Sequence, residues 1–533
     1  MKKVVYWIVC GLLCASCGDF LKEYSKELTY ASSCSDLNEI LIGNGYMKSN
    51  TSNSEFSGGS IHSGAYYYGW LHVMDDDIEE YGMGKYSETQ LSQIAQVLRS
   101  FYTWQAKPFQ NMKGVLYDDP NWKKLYEHIG YLNVIISQVK EFENEPLEIR
   151  NRIKGEAEFL RGAYYYLLVN MYAKPYVKAT AAEDPGVVLN ISEEIDGGYV
   201  SRASVQRIYE QIVEDLKNAA EHLKGIEQAT IYRVNEKAAR VLLSRVYLYM
   251  GEWQAAIDEC DKVIASGCPL WDLNEWNMTE VKSETRSDNL NKMQYLLTEE
   301  SPEVIFTQGI NLAAQLMRDA QVLSRYRVSD ELVSLYLKYE NQGVEDLRLK
   351  GYLSESQLSG GKYLIRKNTV DVTLSTRVFD LFTIRTAEAY LNKAEAEAIL
   401  GKTEAVTTLK ILMQNRFQGN VLPAGLDALS GSELVKFVRE ERRRELSFEC
   451  HRWFDLRRYA VCREYPEVKE TLHGVYSPAA ASGVVSGYAG SYKLGAYTTE
   501  PASYTLLIPD YEITYNKGEM VQNEEREDHD MIN

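Results

Sequence analysis

No HExxH, no GxSxG and no phosphate-cradling GxxxxGK motif occurs in the 533 residues, and the seven histidines fall at no zinc spacing. Metalloprotease, serine-hydrolase and nucleotide-binding chemistry therefore have no foothold, and neither an enzyme activity nor a metal or other cofactor is expected. A disulfide framework is missing too. Of the eight cysteines, at 10, 14, 17, 34, 260, 268, 450 and 462, the five beyond the N-terminal Cys14-Ala15-Ser16-Cys17 stretch are odd in number and include no CxxC pair. Most should be small buried apolar residues, with Cys260–Cys268 and Cys450–Cys462 left open as pairs. Positive charge is in deficit: 58 Lys and Arg against 76 Asp and Glu give a net charge of −18, which disfavours nucleic acid and anionic lipid surfaces. The Arg-rich stretch 439–444 is the one candidate basic patch. It is interleaved with Glu440, Glu441, Glu445 and Glu449, so ion pairing along a helix, Glu440 with Arg444 and Glu449 with Arg452, is the expected use.

Long apolar runs are confined to the N-terminus. Met1-Lys2-Lys3 precedes an apolar run from Val4 to Leu13, closed by Cys14-Ala15-Ser16-Cys17. A basic start, an apolar core too short to span a bilayer and small residues before a cysteine form a lipoprotein signal peptide. Residues 1–16 are expected to be removed and Cys17 to be lipidated, leaving 17–533 water-soluble and tethered to a membrane.

What the chain has in abundance is helical periodicity and tyrosine. Residues 121–140 carry Trp122, Leu125, Tyr126, Ile129, Leu132, Asn133 and Ile136 at spacings of three and four. The same pattern predicts helices over 147–172, 202–224, 235–250, 252–266, 383–400, 403–417 and 432–449. Ala238, Leu242 and Val246 followed by Gly251-Glu252-Trp253 and Ala256-Ile257 resemble a tetratricopeptide helix pair, with a weaker echo around Ala394, Ala398 and Gly401. The fold class is mainly α: a helical scaffold with irregular insertions at about 60–120, 268–380 and 463–505, the last carrying short strands near 480–508. Residues 18–45 read as a stalk entering this scaffold. Asp75-Asp76-Asp77, with Glu79 and Glu80, is the densest acidic cluster; without EF-hand spacing it reads as a solvated loop.

Several landmarks resemble the SusD/RagB family of outer-membrane lipoproteins of Bacteroidetes. They run in family order: Cys17-Gly18-Asp19-Phe20-Leu21; Ser35-Asp36-Leu37 to Gly43; Trp122 to Asn133; Gly155-Glu156-Ala157-Glu158-Phe159-Leu160-Arg161-Gly162; Ala387-Glu388-Ala389-Tyr390-Leu391; Glu441 to Glu449 with Arg452-Trp453-Phe454-Asp455; and Ile508-Pro509-Asp510-Tyr511 with Gln522-Asn523. Departures fall at Cys450, Leu507 and Lys517, where the family commonly has Gly, Pro and Pro. The resemblance implies a single SusD-like domain over 17–533, lipid-anchored at the outer membrane and surface-exposed, and a SusC-like TonB-dependent transporter as partner. It also implies capture of oligosaccharide for delivery to that transporter.

A sugar binder needs aromatic faces and hydrogen-bonding edges. Trp104, flanked by Tyr102 and Gln105 in the segment before the Trp122 helix, is the leading glycan-binding candidate, with Trp70, Trp276 and Tyr326 behind it. Trp122, Trp253 and Trp453 lie on helical faces and read as structural. Two alternatives stand beside glycan capture: peptide or other nutrient capture by the same route, and a surface glycoside hydrolase.

Overall fold

The computed structural model describes residues 31–49, 67–80, 93–111, 114–194, 198–276, 295–316, 326–356, 362–368, 378–478 and 485–532. Residues 1–16, expected as a signal peptide, and Cys17 lie outside the described residues. The helical scaffold comprises α1 (Cys34–Ile40), α2 (Gln93–Tyr102), α3 (Pro120–Gln138), α4 (Leu147–Tyr172), α5 (Val205–His222), α6 (Glu236–Met250) and α7 (Trp253–Ala265). It continues with α8 (Thr386–Ile399), α9 (Glu404–Gln414), α10 (Gly431–Leu446) and α11 (Arg452–Ala460). The periodic segments thus fold as the spacing predicts. The chain runs through packed helix pairs, α3 on α4, α4 on α5, α5 on α6, α6 on α7, then α8 against both α7 and α9. No described helix is long and apolar enough to cross a membrane.

Local chemistry explains the boundaries. Asp119 accepts from the Asn121 amide and Pro120 occupies the first turn of α3, where a missing N–H costs nothing. Asn235 caps α6, which ends at Gly251 with φ 72°, the left-handed position that turns the chain into α7. In this pair Ala238, Leu242, Val246 and Ala256 are fully buried and Ile257 nearly so. Alpha-helix 4 approaches α5 closely because Gly155 and Gly162 have no side chain: a Cβ at Gly155 would lie 2.7 Å from Leu223 Cγ. Cys450 keeps a left-handed φ of 58°, the conformation for which glycine is the easier residue. The five described cysteines, Cys34, Cys260, Cys268, Cys450 and Cys462, are all free thiols, so neither candidate disulfide forms.

Four antiparallel two-stranded pairs decorate the helices: β1 (Ile78–Glu80) with β3 (Tyr326–Val328), β2 (Val304–Gln308) with β6 (Phe382–Arg385), β4 (Leu353–Ser356) with β5 (Lys362–Ile365), and β7 (Thr471–Pro478) with β8 (Val485–Leu494). The strand expectation near 480–508 holds for β8, whereas Pro501–Tyr504 forms a 3-10 turn instead. Residues 34–45 are not a stalk. Cys34, Leu37 and Leu41 are fully buried, because α1 and the turn after it pack on α3 and α4.

The charged segments depart most from their sequence reading. Asp75, Asp76 and Asp77 are buried rather than solvated. Asp76 receives Arg452 at 2.7 Å, Arg443 at 3.2 Å and Lys469, and Asp77 receives Arg443 at 2.7 Å. These cations hold the Asp76 carboxyl well below the usual carboxylate range despite its burial, and they occupy the positive role a metal ion would take. The Arg-rich α10 likewise pairs through tertiary contacts. Glu445 accepts from Arg348 (3.0 Å), Arg385 (2.6 Å), Arg416 (2.9 Å) and Tyr352 (3.0 Å), all buried. Glu440 pairs with Lys338 and Arg452 with Asp76, so neither expected pair forms as such, while Arg444 keeps a partner on its own helix in Glu441 at 2.6 Å.

Candidate functional site

The insertion before α3 folds onto the scaffold by burying its aromatic rings. Trp104 is completely buried, with φ 49°. Its indole N–H donates to the Met74 carbonyl at 2.9 Å, and the His473 ring is sandwiched between Trp104 and Tyr102 at centroid distances of 4.0 and 4.1 Å. Tyr102 donates to the Gly474 carbonyl at 2.8 Å. Trp70 stacks on Phe101 at 5.2 Å, Trp276 packs edge-on to Trp271 at 4.6 Å, and Tyr326 meets Tyr102 at 5.6 Å. The five aromatic candidates are buried core residues in this structure. The physical reason is that an irregular insertion buries little surface through backbone regularity, so large rings supply the apolar area that holds it down.

Gln105 has a different place. The chain emerging from Trp104 runs along an open, polar cleft of about 410 Å³. One side comes from the end of α2 and the following loop: Arg99, Ser100, Thr103, Gln105, Gln110 and Asn111. The other comes from half-buried Tyr492 on β8 and from His529, Asp530 and Met531 near the C-terminus. Gln105 Nε2 donates to the carbonyls of Thr103 (3.1 Å) and His529 (2.9 Å), tying the two sides together. Side-chain amides, hydroxyls, one guanidinium and one phenol ring converge here, a lining that offers both donors and acceptors to a hydroxylated ligand. Asp530 is the one carboxylate among the described lining residues, where hydrolysis of a glycosidic bond calls for two.

Two ion pairs flank the cleft. Arg99 Nε lies 3.6 Å from the carboxylate of Glu80, which is fully buried and has no hydrogen-bond donor on either oxygen among the described residues. Desolvation pushes that carboxyl up to about 7, against the pull of Arg99. On the opposite wall His529 Nε2 lies 2.6 Å from Glu500. Glu500 also accepts from the Gly495 amide at 2.8 Å and from Ser503, and these donors hold it down at about 2.

A smaller apolar groove of about 160 Å³ lies on the other side of the same loop, lined by Pro108, Phe109, Leu116, Tyr117, Leu506, Ile508, Pro509 and Tyr511. Of the sequence candidates the cleft contains Gln105 alone. Arg99 and Asn111 lie close to Gln105 but lack the aromatic signal that drew attention to this segment, and Tyr492 and Asp530 come from segments remote from it in sequence.

With the geometry defined, comparison with known proteins supplies the family. Residues 70–248 match a family described as starch-binding and associating with the outer membrane, and residues 305–525 match the SusD family. The chain belongs to the SusD/RagB family. SusD-like protein P2 of Formosa agariphila is 24% identical over 387 residues, which are 64% of this chain and 72% of that protein. A SusD superfamily protein of Bacteroides thetaiotaomicron superposes with a TM-score of 0.64 at 21% identity, covering 92% of this chain and all (100%) of that one. A laminarin-binding SusD-like protein superposes with a TM-score of 0.57 at 19% identity, covering 93% and 99% of the two chains. The SusD scaffold with its tetratricopeptide-like helix pairs is therefore the architecture of this protein.

Proposed function

We propose that this protein is a cell-surface glycan-binding lipoprotein, anchored through Cys17, that captures oligosaccharide in the polar cleft and delivers it to a SusC-like TonB-dependent transporter. The observation that carries the reading is the cleft's lining: Gln105, Gln110 and Asn111 amides beside the Tyr492 ring, with Arg99 and Asp530 at the edges, suit a neutral, polyhydroxylated ligand. The description of the matched family as starch-binding and associating with the outer membrane, and a laminarin-binding protein of the same fold, support it. Residues 17–533 act as one unit, and the protein binds rather than cleaves.

A panel of neutral oligosaccharides, followed by calorimetry together with an assay for reducing ends, tests this. Heat of binding without new reducing ends is the expected result; product formation would mean an enzyme, and no binding across the panel would reject the glycan. Peptide capture is the second reading, favoured by the apolar groove beside the cleft, whose Pro108, Phe109 and Leu116 would take apolar side chains.

A further inference from the structure

The C-terminal segment forms one wall of the cleft, and its contacts include one imidazole set between backbone anchors. Asp528 accepts from the Ala106 amide at 2.9 Å, the His529 carbonyl accepts from Gln105 at 2.9 Å, and Ile532 exchanges two backbone hydrogen bonds with Ser491 at the edge of β8 (2.7 and 2.8 Å). Between these anchors, both ring nitrogens of His529 face oxygen acceptors. Nδ1 is 2.9 Å from the Trp104 carbonyl and Nε2 is 2.6 Å from the Glu500 carboxylate. A carbonyl and an ionised carboxylate only accept, so a neutral imidazole, with a single N–H, can satisfy one of them and must face the other with a lone pair. Only the imidazolium makes both bonds.

We propose that residues 526–532 form a proton-gated strap: charged His529 latches it to Trp104 and Glu500 and completes the cleft wall, and loss of the proton releases it. The gating of ligand capture rests on the cleft being the glycan site; the strap itself does not. The other charges around His529 leave this sign unchanged. Burial of the ring opposes the proton and so does Arg526, on the strap; Glu500, from the 495–504 segment, and the Trp104 carbonyl favour it and outweigh them. Asp528 and Asp530 flank the ring in sequence, Arg99 lines the facing wall already paired with Glu80, and the neighbouring His473 is taken up by stacking on Trp104. The net result is a His529 basicity raised above its ordinary value, while Glu500 stays ionised across the range in question. A base with a raised folded pKa contributes its latch fully below its unfolded value, about 6.5, and loses it as pH rises through the folded value.

Amide hydrogen exchange read by mass spectrometry on the whole protein, corrected for intrinsic rates, tests the strap without any sugar, so failure of the glycan reading cannot imitate its failure. Peptides spanning 103–111, which contain the Ala106 amide, and 524–532 should both lose about tenfold in protection between about pH 6 and about pH 8.5, within the usual range of coupling between linked sites, while α3 stays constant. Glu500→Gln and His529→Gln should each show the low protection at both pH values. Wild-type protection that is flat with pH, a pH dependence that survives in Glu500→Gln, or strap opening that leaves Ala106 protected would overturn the proposal.

Discussion

Charged residues serve opposite ends in two parts of this molecule. Around α10 they are saturated: Glu445 alone receives three arginines and a tyrosine, and Asp76 receives two arginines and a lysine. Along the cleft they are sparse, one carboxylate per cation, with Glu80 left without a hydrogen-bond donor among the described residues. A buried charge surrounded by several partners keeps one protonation state across physiological pH and acts as architecture. A buried charge with one imperfect partner sits near its titration point and responds to its surroundings. The difference separates scaffold from site better than residue type does, since arginine and glutamate are plentiful in both.

Breaking the saturated region should have the largest effect. Leu242→Asp, which buries an unpaired carboxylate between α6 and α7, should prevent folding, because several kcal/mol is a large share of a typical 5–15 kcal/mol stability. A cooperative melt near the wild-type temperature would contradict that packing. Glu445→Ala should cost about 3–5 kcal/mol in denaturant titration by stranding Arg348, Arg385 and Arg416, and a loss below about 1 kcal/mol would mean the network is dispensable. The Glu445 carboxyl is held well below its ordinary value by these arginines. Its stabilising share is present above the ordinary carboxylate range and is lost as pH falls through the folded value, so the difference between variant and wild type should shrink in acid.

Trp104→Ala should cost about 3–5 kcal/mol of folding stability, the scale of an emptied aromatic site, which a thermal melt will show. A melt unchanged by that substitution would return Trp104 to the list of exposed platforms. Glu80→Gln sharpens the comparison from the cleft side. With the folded carboxyl at about 7 and an ordinary value near 4.5, wild-type stability should decline as pH rises between those values. The amide should remove the decline and leave the variant about 1–3 kcal/mol more stable at about pH 8, as expected for relief of an unsatisfied buried charge. Identical pH profiles for the two proteins would show that Glu80 is solvated.

The scaffold was largely legible in the sequence because it is periodic. The spacing of Trp122, Leu125, Ile129 and Leu132 marks one buried face, and glycine after a helix end marks Gly251 and Gly401, both of which adopt positive φ. Legibility failed where the deciding partner is remote. Nothing near Asp76 announces Arg452 and Arg443, so three adjacent aspartates look solvated until the fold brings the cations across. The same holds for the cleft: Gln105 could be singled out from its neighbourhood, whereas Tyr492 and Asp530 become partners only through the bridge between Ser491 and Ile532. Trp104 misled for a related reason, since an aromatic in a non-periodic segment looks available when no element is visible to cover it.

On the proposed function, the sparse polar cleft and not the buried aromatic cluster receives the ligand. The most direct measurement is calorimetry of the Gln105→Ala/Tyr492→Ala double variant against the best-binding oligosaccharide of the panel, with thermal melts of both proteins alongside. The expected result is an affinity loss of about 2–4 kcal/mol, one stacking ring and one hydrogen-bonding amide, with the melting temperature nearly unchanged. Wild-type affinity in a well-folded double variant would contradict it.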